Sequence, residues 1–440
     1  MNQADLVAPT LNISRWLLAA ISSLSPFGIS IMVPLVPALS LSLGHSVSEL
    51  QYLFSAYVIG LAVSQPIFGI VTDQIGRRPI LLAGFTLFIL ASVLLVFTTT
   101  LHTMILLRFL QAVGVGVGTV VARGIARDHL PPDEALKTFA ILTAAMGFTP
   151  VIAPVMGGFI ASLAGIASVF IVLALLGSSL LILCFRAIPN DRPLRRADAN
   201  SASLKGYVSL LKSVRFWGYA GAFGFLQGMV FTLLATGSVL FQEQFGLSMQ
   251  SFSLVWGSSA LIYVLGSFLL SHTTFLSTAR WQNRTVLGML IVSLSAPMLI
   301  AGQGLTMLSV VLPLYTSMLL SGVLTPTTMY GAVNAVPRWS GSAAGLSSSI
   351  GMTMAGVFSW LGASIYEHQP ALIMVCFGAA GVGFACCWLL AHSGDKQPAL
   401  GGPYNLWWLL KNTNADIRIG AEAATGICTD QLKGATPRDG

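Results

Sequence analysis

Residues 69–79 read Gly-Ile-Val-Thr-Asp-Gln-Ile-Gly-Arg-Arg-Pro. Asp73 stands four residues ahead of Arg77–Arg78, and Gly69 and Gly76 bracket the string. An arginine pair can bind a carboxylate or the negative C-terminal end of a helix. Glycines permit a tight turn and close backbone approach. Such a set can hold one conformation shut through ion pairs and release it in another; the simpler reading is anchoring by basic residues. Arg108 and Arg123 lie inside otherwise apolar stretches. The expected partners of Arg108 are Gln111 and backbone carbonyls. Arg123 either joins Arg127 and Asp128 in a charge cluster or anchors a helix end. Enzymatic chemistry finds little footing. No HExxH or GxSxG string occurs, and neither His272 nor His392 has a metal-ligand neighbour at suitable spacing. No metal or cofactor is expected.

The elements that carry these residues follow from composition. The chain has 440 residues, 55% hydrophobic and 8% Asp, Glu, Lys or Arg. Soluble domains carry about 25% charged residues. With a mean hydropathy of +0.80, the chain reads as a polytopic membrane protein. Disorder, collagen and nucleic-acid-binding modules are excluded, and five Cys are too few for a disulfide scaffold.

Twelve apolar stretches are long enough to cross a bilayer. Their limits are 16–41, 52–72, 79–98, 103–126, 138–161, 165–187, 216–241, 251–271, 286–302, 306–330, 342–365 and 370–392. The loops near 42–51, 99–102, 162–165, 242–250, 303–305 and 366–369 hold no Lys or Arg. The alternate loops and both ends hold all the basic residues except Arg108 and Arg123. The positive-inside rule then puts both termini in the cytoplasm. The expected organisation is a cytoplasmic N-terminus (1–15), a six-helix half (16–187), a cytoplasmic central loop (188–215), a second six-helix half (216–392) and a cytoplasmic tail (393–440). The tail carries a short apolar patch, Leu406–Leu410, suited to the membrane interface. A charge at membrane depth is costly unless paired or hydrated, so Arg108 and Arg123 are functional candidates. Snorkelling to the outer interface is the alternative for Arg108. Gly114, Gly116 and Gly118 serve either close helix packing or a helix that slides.

The string at 69–79 resembles the loop 2–3 signature of the major facilitator superfamily, with Gln74 in place of the usual basic residue. Arg108-Phe-Leu-Gln111-Ala-Val-Gly114 resembles the family's fourth-helix motif. Ala153-Pro154-Val-Met-Gly157-Gly158 resembles the fifth-helix motif of its antiporters. Ser25-Pro26-Phe27, Gly76–Leu82 and Arg123–Asp128 are most similar to the branch of Bcr/CflA and chloramphenicol–florfenicol exporters. The resemblance spans about 16–392. It implies an all-α membrane fold of two six-helix halves, acting as a rocker-switch drug:proton antiporter in the inner membrane. The implied partners are a small-molecule substrate, protons and the bilayer; a monomer is expected. The gating set would be Gly69, Asp73, Gly76, Arg77, Arg78, Arg123, Arg127, Asp128, Pro154, Gly157 and Gly158. The branch has an acidic residue in helix one; the matching position is Ser30, and Met32 stands where a Tyr is expected. No Asp or Glu lies centrally in any predicted helix.

By the same resemblance, helices one, four, seven and ten line the substrate path. They offer Phe27, Ser30, Met32, Arg108, Gln111, Gln227, Phe231 and Tyr315; helices five and eight add Met146 and Tyr263. This apolar, aromatic and Met-rich set suits a lipophilic or amphipathic compound, phenicol-like molecules included, better than a sugar. Two readings follow: an exporter of such compounds, or an uncoupled facilitator or importer/exporter of a small metabolite on the same fold.

Overall fold

The computed structural model describes residues 13–189, 208–336 and 339–393. Among these residues twelve long helices follow one another: α1 (Arg15–Ser30), α2 (Val47–Ile75), α3 (Arg77–Val96), α4 (Leu101–His129), α5 (Pro132–Ala164), α6 (Ile166–Ala187), α7 (Val214–Val239), α8 (Met249–His272), α9 (Ala279–Gln303), α10 (Met307–Asn334), α11 (Ser340–His368) and α12 (Ile373–Ser393). Ten stretches of helix in the described residues are long and apolar enough to cross a membrane. The other two long helices are α7 and α11, of 26 and 29 residues. The start of α11 is rich in Ser and Gly because that face packs against protein: Ser340, Ser342, Ser347 and Ser348 are all buried.

Several helices exceed the apolar windows. Helix α5 runs 33 residues, about 50 Å at 1.5 Å per residue, against a hydrocarbon core of about 30 Å. The apolar window marks only the part within lipid. The first predicted helix differs more. It breaks after Ser30, passes through a 3-10 turn at Val33–Leu35 and resumes as a short helix, Val36–Leu43. Pro34 and Pro37 lack the N–H that a continuous helix needs there. The patch Leu406–Leu410 lies outside the described residues, as does most of the central loop.

Helices α1–α6 pack on one another, as do α7–α12. Helix α4 is the spine of the first half, buried without interruption from Val115 to Ala126. Helix α10 is its counterpart, buried continuously from Ser321 to Val333. The halves meet where α2 and α4 lie on α11, and where α5 lies on α8 and α10. The connections after α2, α4, α8 and α10 share one end of the bundle with Arg77, Arg78, Arg127, Arg280 and Arg284, here termed the basic end.

Candidate functional site

At the basic end the halves are tied together. Asp73, in the last turn of α2, faces the first turn of α11. Its Oδ1 accepts from the Gly341 N–H at 3.0 Å. Its Oδ2 accepts from the Ser342 N–H at 2.8 Å and the Ser342 hydroxyl at 2.7 Å. The first N–H groups of a helix have no intrahelical acceptor and carry the positive end of its dipole, so a carboxylate satisfies both. Gly69 allows the approach, since a Cβ there would meet the backbone of Gly341. Gly76 ends α2 at φ +106° and lets α3 start at once.

A second knot lies beside it. Arg77 pairs with Asp128 of α4 and donates to the Ser340 hydroxyl at 3.1 Å. Ser340 donates to Asp128 Oδ2 at 2.7 Å. Arg127 donates to Asp128 Oδ1 at 2.6 Å and, across the halves, to Asn334 Oδ1 of α10 at 3.1 Å. Arg78 takes no part. It donates to the Phe185 carbonyl at 2.6 Å and lies 4.7 Å from that ring's centroid, tying α3 to α6.

Arg123 stands apart from the Asp128 cluster, over a turn further from the basic end. Its Nη1 donates to the Ser348 hydroxyl of α11 at 2.6 Å, and Nη2 lies 3.9 Å from the Met146 sulfur of α5. Tyr263 of α8 packs against Gly147 and neighbours both Arg123 and Thr325 of α10. Five helices from both halves converge here. Close by, Ser349 donates to the Ala62 carbonyl at 2.8 Å, and Gly345 lies against the Gln65 backbone.

Arg108 is wholly enclosed in the first half. It donates to Gln111 Oε1 and, at 3.1 Å, to the Gly28 carbonyl, with its guanidinium 4.3 Å from the Tyr57 ring centroid. Gln111 passes the chain on to the Ser92 hydroxyl at 2.7 Å, and Tyr57 donates to the Ser25 carbonyl at 3.0 Å. The cluster thus joins α1, α2, α3 and α4. Arg108 is wholly buried rather than snorkelling, and the partners that hold it and Gln111 all belong to the first half. Sequence spacing pointed to Gln111 but not to Tyr57, which sits in an unremarkable apolar run.

The remaining expected residues are dispersed. Phe27 and Ser30 are half-buried on the last turn of α1, and Met32 is buried just past it. Gln227 and Phe231 are half-buried on α7. Tyr315 bonds to the Ser258 hydroxyl at 2.7 Å, tying α10 to α8. Pro154 lies inside α5; one turn on, Gly157 abuts the Ile31 carbonyl and Gly158 abuts Pro34, both at the break that follows α1. Four partners were not singled out in the sequence: Ser340, Ser342, Ser348 and Asn334. The run Ser340-Gly-Ser-Ala-Ala-Gly345 is the one local hint, because small residues at a helix start invite close contact. No cluster of three or more metal-ligating side chains occurs among the described residues.

The sequence model of the Major Facilitator Superfamily matches residues 18–359. The uncharacterised MFS-type transporter YdgK of Bacillus subtilis (strain 168) is 33% identical over 261 residues, which is 58% of this chain and 65% of that protein, just under two thirds of its length. A chloramphenicol resistance protein of Pseudomonas aeruginosa is 26% identical over 349 residues, 78% of this chain and 82% of that one. The crystal structure of the human organic anion transporter MFSD10 (TETRAN) superposes with a TM-score of 0.68 at 18% identity, covering 87% of this chain and all of that one, a likeness of fold. Two helical halves closed on one another at the basic end, together with a family match over most of the chain, make this protein a member of the Major Facilitator Superfamily: a multi-pass membrane transporter of small molecules.

Proposed function

We propose that the chain exports small lipophilic or amphipathic compounds by alternating access. The observation that carries this reading is the lock at the basic end: Asp73 caps α11, and Asp128 links Arg77, Arg127 and Ser340. Ion pairs and helix-end contacts of this kind hold one state and break when the halves rock. The confinement of loop Lys and Arg to that end makes it the cytoplasmic one, in the bacterial inner membrane. On that assignment the described conformation is shut toward the cytoplasm. Both termini, the central loop and the tail then lie inside.

The relative named for chloramphenicol resistance supports export of drug-like compounds, phenicols among them. The half-buried Phe27, Met146, Phe231, Tyr263 and Tyr315 suit such molecules, with Ser30 and Gln227 as polar contacts. Arg108, Gln111 and Met32 act through the packing of the first half. The energy source is the proton gradient, and the working unit is the monomer. The test is drug accumulation in cells lacking their own exporters, with and without this protein. Lower accumulation that returns to control on Asp73→Asn supports the reading; no change across phenicols and other lipophilic drugs overturns it.

A second reading, an uncoupled facilitator of a small metabolite, is favoured by one observation. Among the described residues no carboxylate lies at mid-span: Asp73 and Asp128 are within three residues of helix ends. Uphill transport abolished by a protonophore decides for coupling; transport that only equilibrates decides for the facilitator.

A further inference from the structure

Among the described residues the carboxylates with described side chains are Glu49, Asp73, Asp128, Asp133, Glu134 and Glu243, each in or next to the first or last turn of a helix. In the basic-end lock Asp128 pairs with Arg77 and Arg127 while Asp73 caps α11, so two carboxylates stand with two arginines. That leaves two cations in the apolar interior without a carboxylate within 4.0 Å: Arg108 and Arg123. Arg108 is enclosed in one half by Gln111, the Gly28 carbonyl and the Tyr57 ring. Arg123 differs. It sits between the halves, 6% exposed, and its described hydrogen bonds go to one hydroxyl and one thioether. A guanidinium has five N–H donors, and a thioether is a weak acceptor. A buried charge so served is costly unless a partner arrives. Secondary transporters bind substrate between their repeats.

We propose that Arg123 anchors an anionic group of the transported compound: a carboxylate, sulfonate or phosphate carried on an otherwise apolar body. The proposal rests on the exporter reading above and adds a preferred class to its substrates, with neutral compounds such as phenicols held more weakly. Tyr263 neighbours the cation and Thr325 neighbours Tyr263, and both carry neutral hydroxyls. The inter-half bond to Ser348 gives the site its timing. While the basic end is shut, Ser348 occupies Nη1. When α11 leaves α4, that donor is freed in a place of low dielectric, and an anion entering from the basic end takes it. The return of Ser348 displaces the anion toward the opposite end. A permanently cationic compound meets Arg123 with no carboxylate to offset the repulsion and is rejected.

The test is binding of one fluorophore in three charge forms to the full-length protein in nanodiscs. The probes are dansylglycine, its methyl ester, and a dansyl amide bearing a trimethylammonium group. In the wild-type protein the carboxylate should bind at least about tenfold tighter than the ester, the scale of one charge-assisted hydrogen bond, and the trimethylammonium form weakest. Arg123→Gln should erase the preference, and Arg123→Lys should keep part of it. Equal affinities for carboxylate and ester, no binding of the carboxylate, or tighter binding of the cation overturns the proposal from wild-type data alone, whether or not a variant folds. Efflux of the same probes from cells is the separate arm. If none is exported while the carboxylate preference holds in nanodiscs, the exporter reading falls and the anion site stands.

Discussion

Asp73 and Ser342 are bonded across the two halves, with the Ser342 N–H and hydroxyl both donating to one carboxylate oxygen at 2.8 and 2.7 Å. These contacts exist only while α2 lies against the start of α11. They therefore stabilise one conformational state rather than the fold, and altering them shifts a population.

Asp73→Asn keeps the shape but removes the charge and one acceptor oxygen. Hydrogen bonds to a charged group contribute about 1.5–3 kcal/mol each, and a charge at a helix N-terminus adds about 0.3–1 kcal/mol. A net loss of about 1.4 kcal/mol moves the equilibrium tenfold toward an open basic end. Spin labels at Asp133 and Arg280, both exposed, report it by electron–electron distance measurement. An unchanged distance distribution would count against the lock.

Gly345 lies against the Gln65 backbone, where a Cβ would clash with the carbonyl. Gly345→Val should keep α11 off α2, populate the open basic end and abolish transport. Gly356, on the same helix, has nothing within 4 Å of the point a Cβ would occupy, so Gly356→Ala should leave transport unchanged. Equal behaviour of the two variants in a transport assay refutes the contact's role.

The Arg108 cluster is a stability element of the first half. Lysine cannot reach both Gln111 and the Gly28 carbonyl, nor stack flat on Tyr57. Arg108→Lys should cost about 2 kcal/mol, the scale of a buried acceptor left unpaired. Tyr57→Phe keeps the ring and loses the bond to the Ser25 carbonyl, at about 1 kcal/mol. Thermal unfolding in detergent measures both. A transport defect in Arg108→Lys should fall alike on substrates of every charge, because the cluster is buried and its bonds stay within the first half.

Gly76 turns the chain between α2 and α3 at φ +106°, a conformation that L side chains rarely adopt. Gly76→Ala should cost about 1–3 kcal/mol of backbone strain. Gly158→Ala, where the nearest atom to a new Cβ is 3.7 Å away, should cost far less. Melting temperatures of the two purified variants separate strain from simple loss of glycine.

The amino-acid sequence by itself determined the class, the count of long helices, the basic character of one end and the residues of the lock on the α2–α4 side. These are local signals: apolar run length, loop charge, and Gly or Pro at turns. Asp73, Gly76 and Arg77 could be singled out because they stand within a few residues of one another. Tertiary structure alone decided what they hold. Ser342 is 269 residues from Asp73, and Ser348 is 225 from Arg123. No periodicity within one helix states which helix of the other half will face it, or at what rotation. The same is true of Arg108. The sequence marked it as a charge at depth, but its seclusion follows from four helices packing around it. Arg123, marked in the same way, came to lie between the halves, because α4 presents that end to α11.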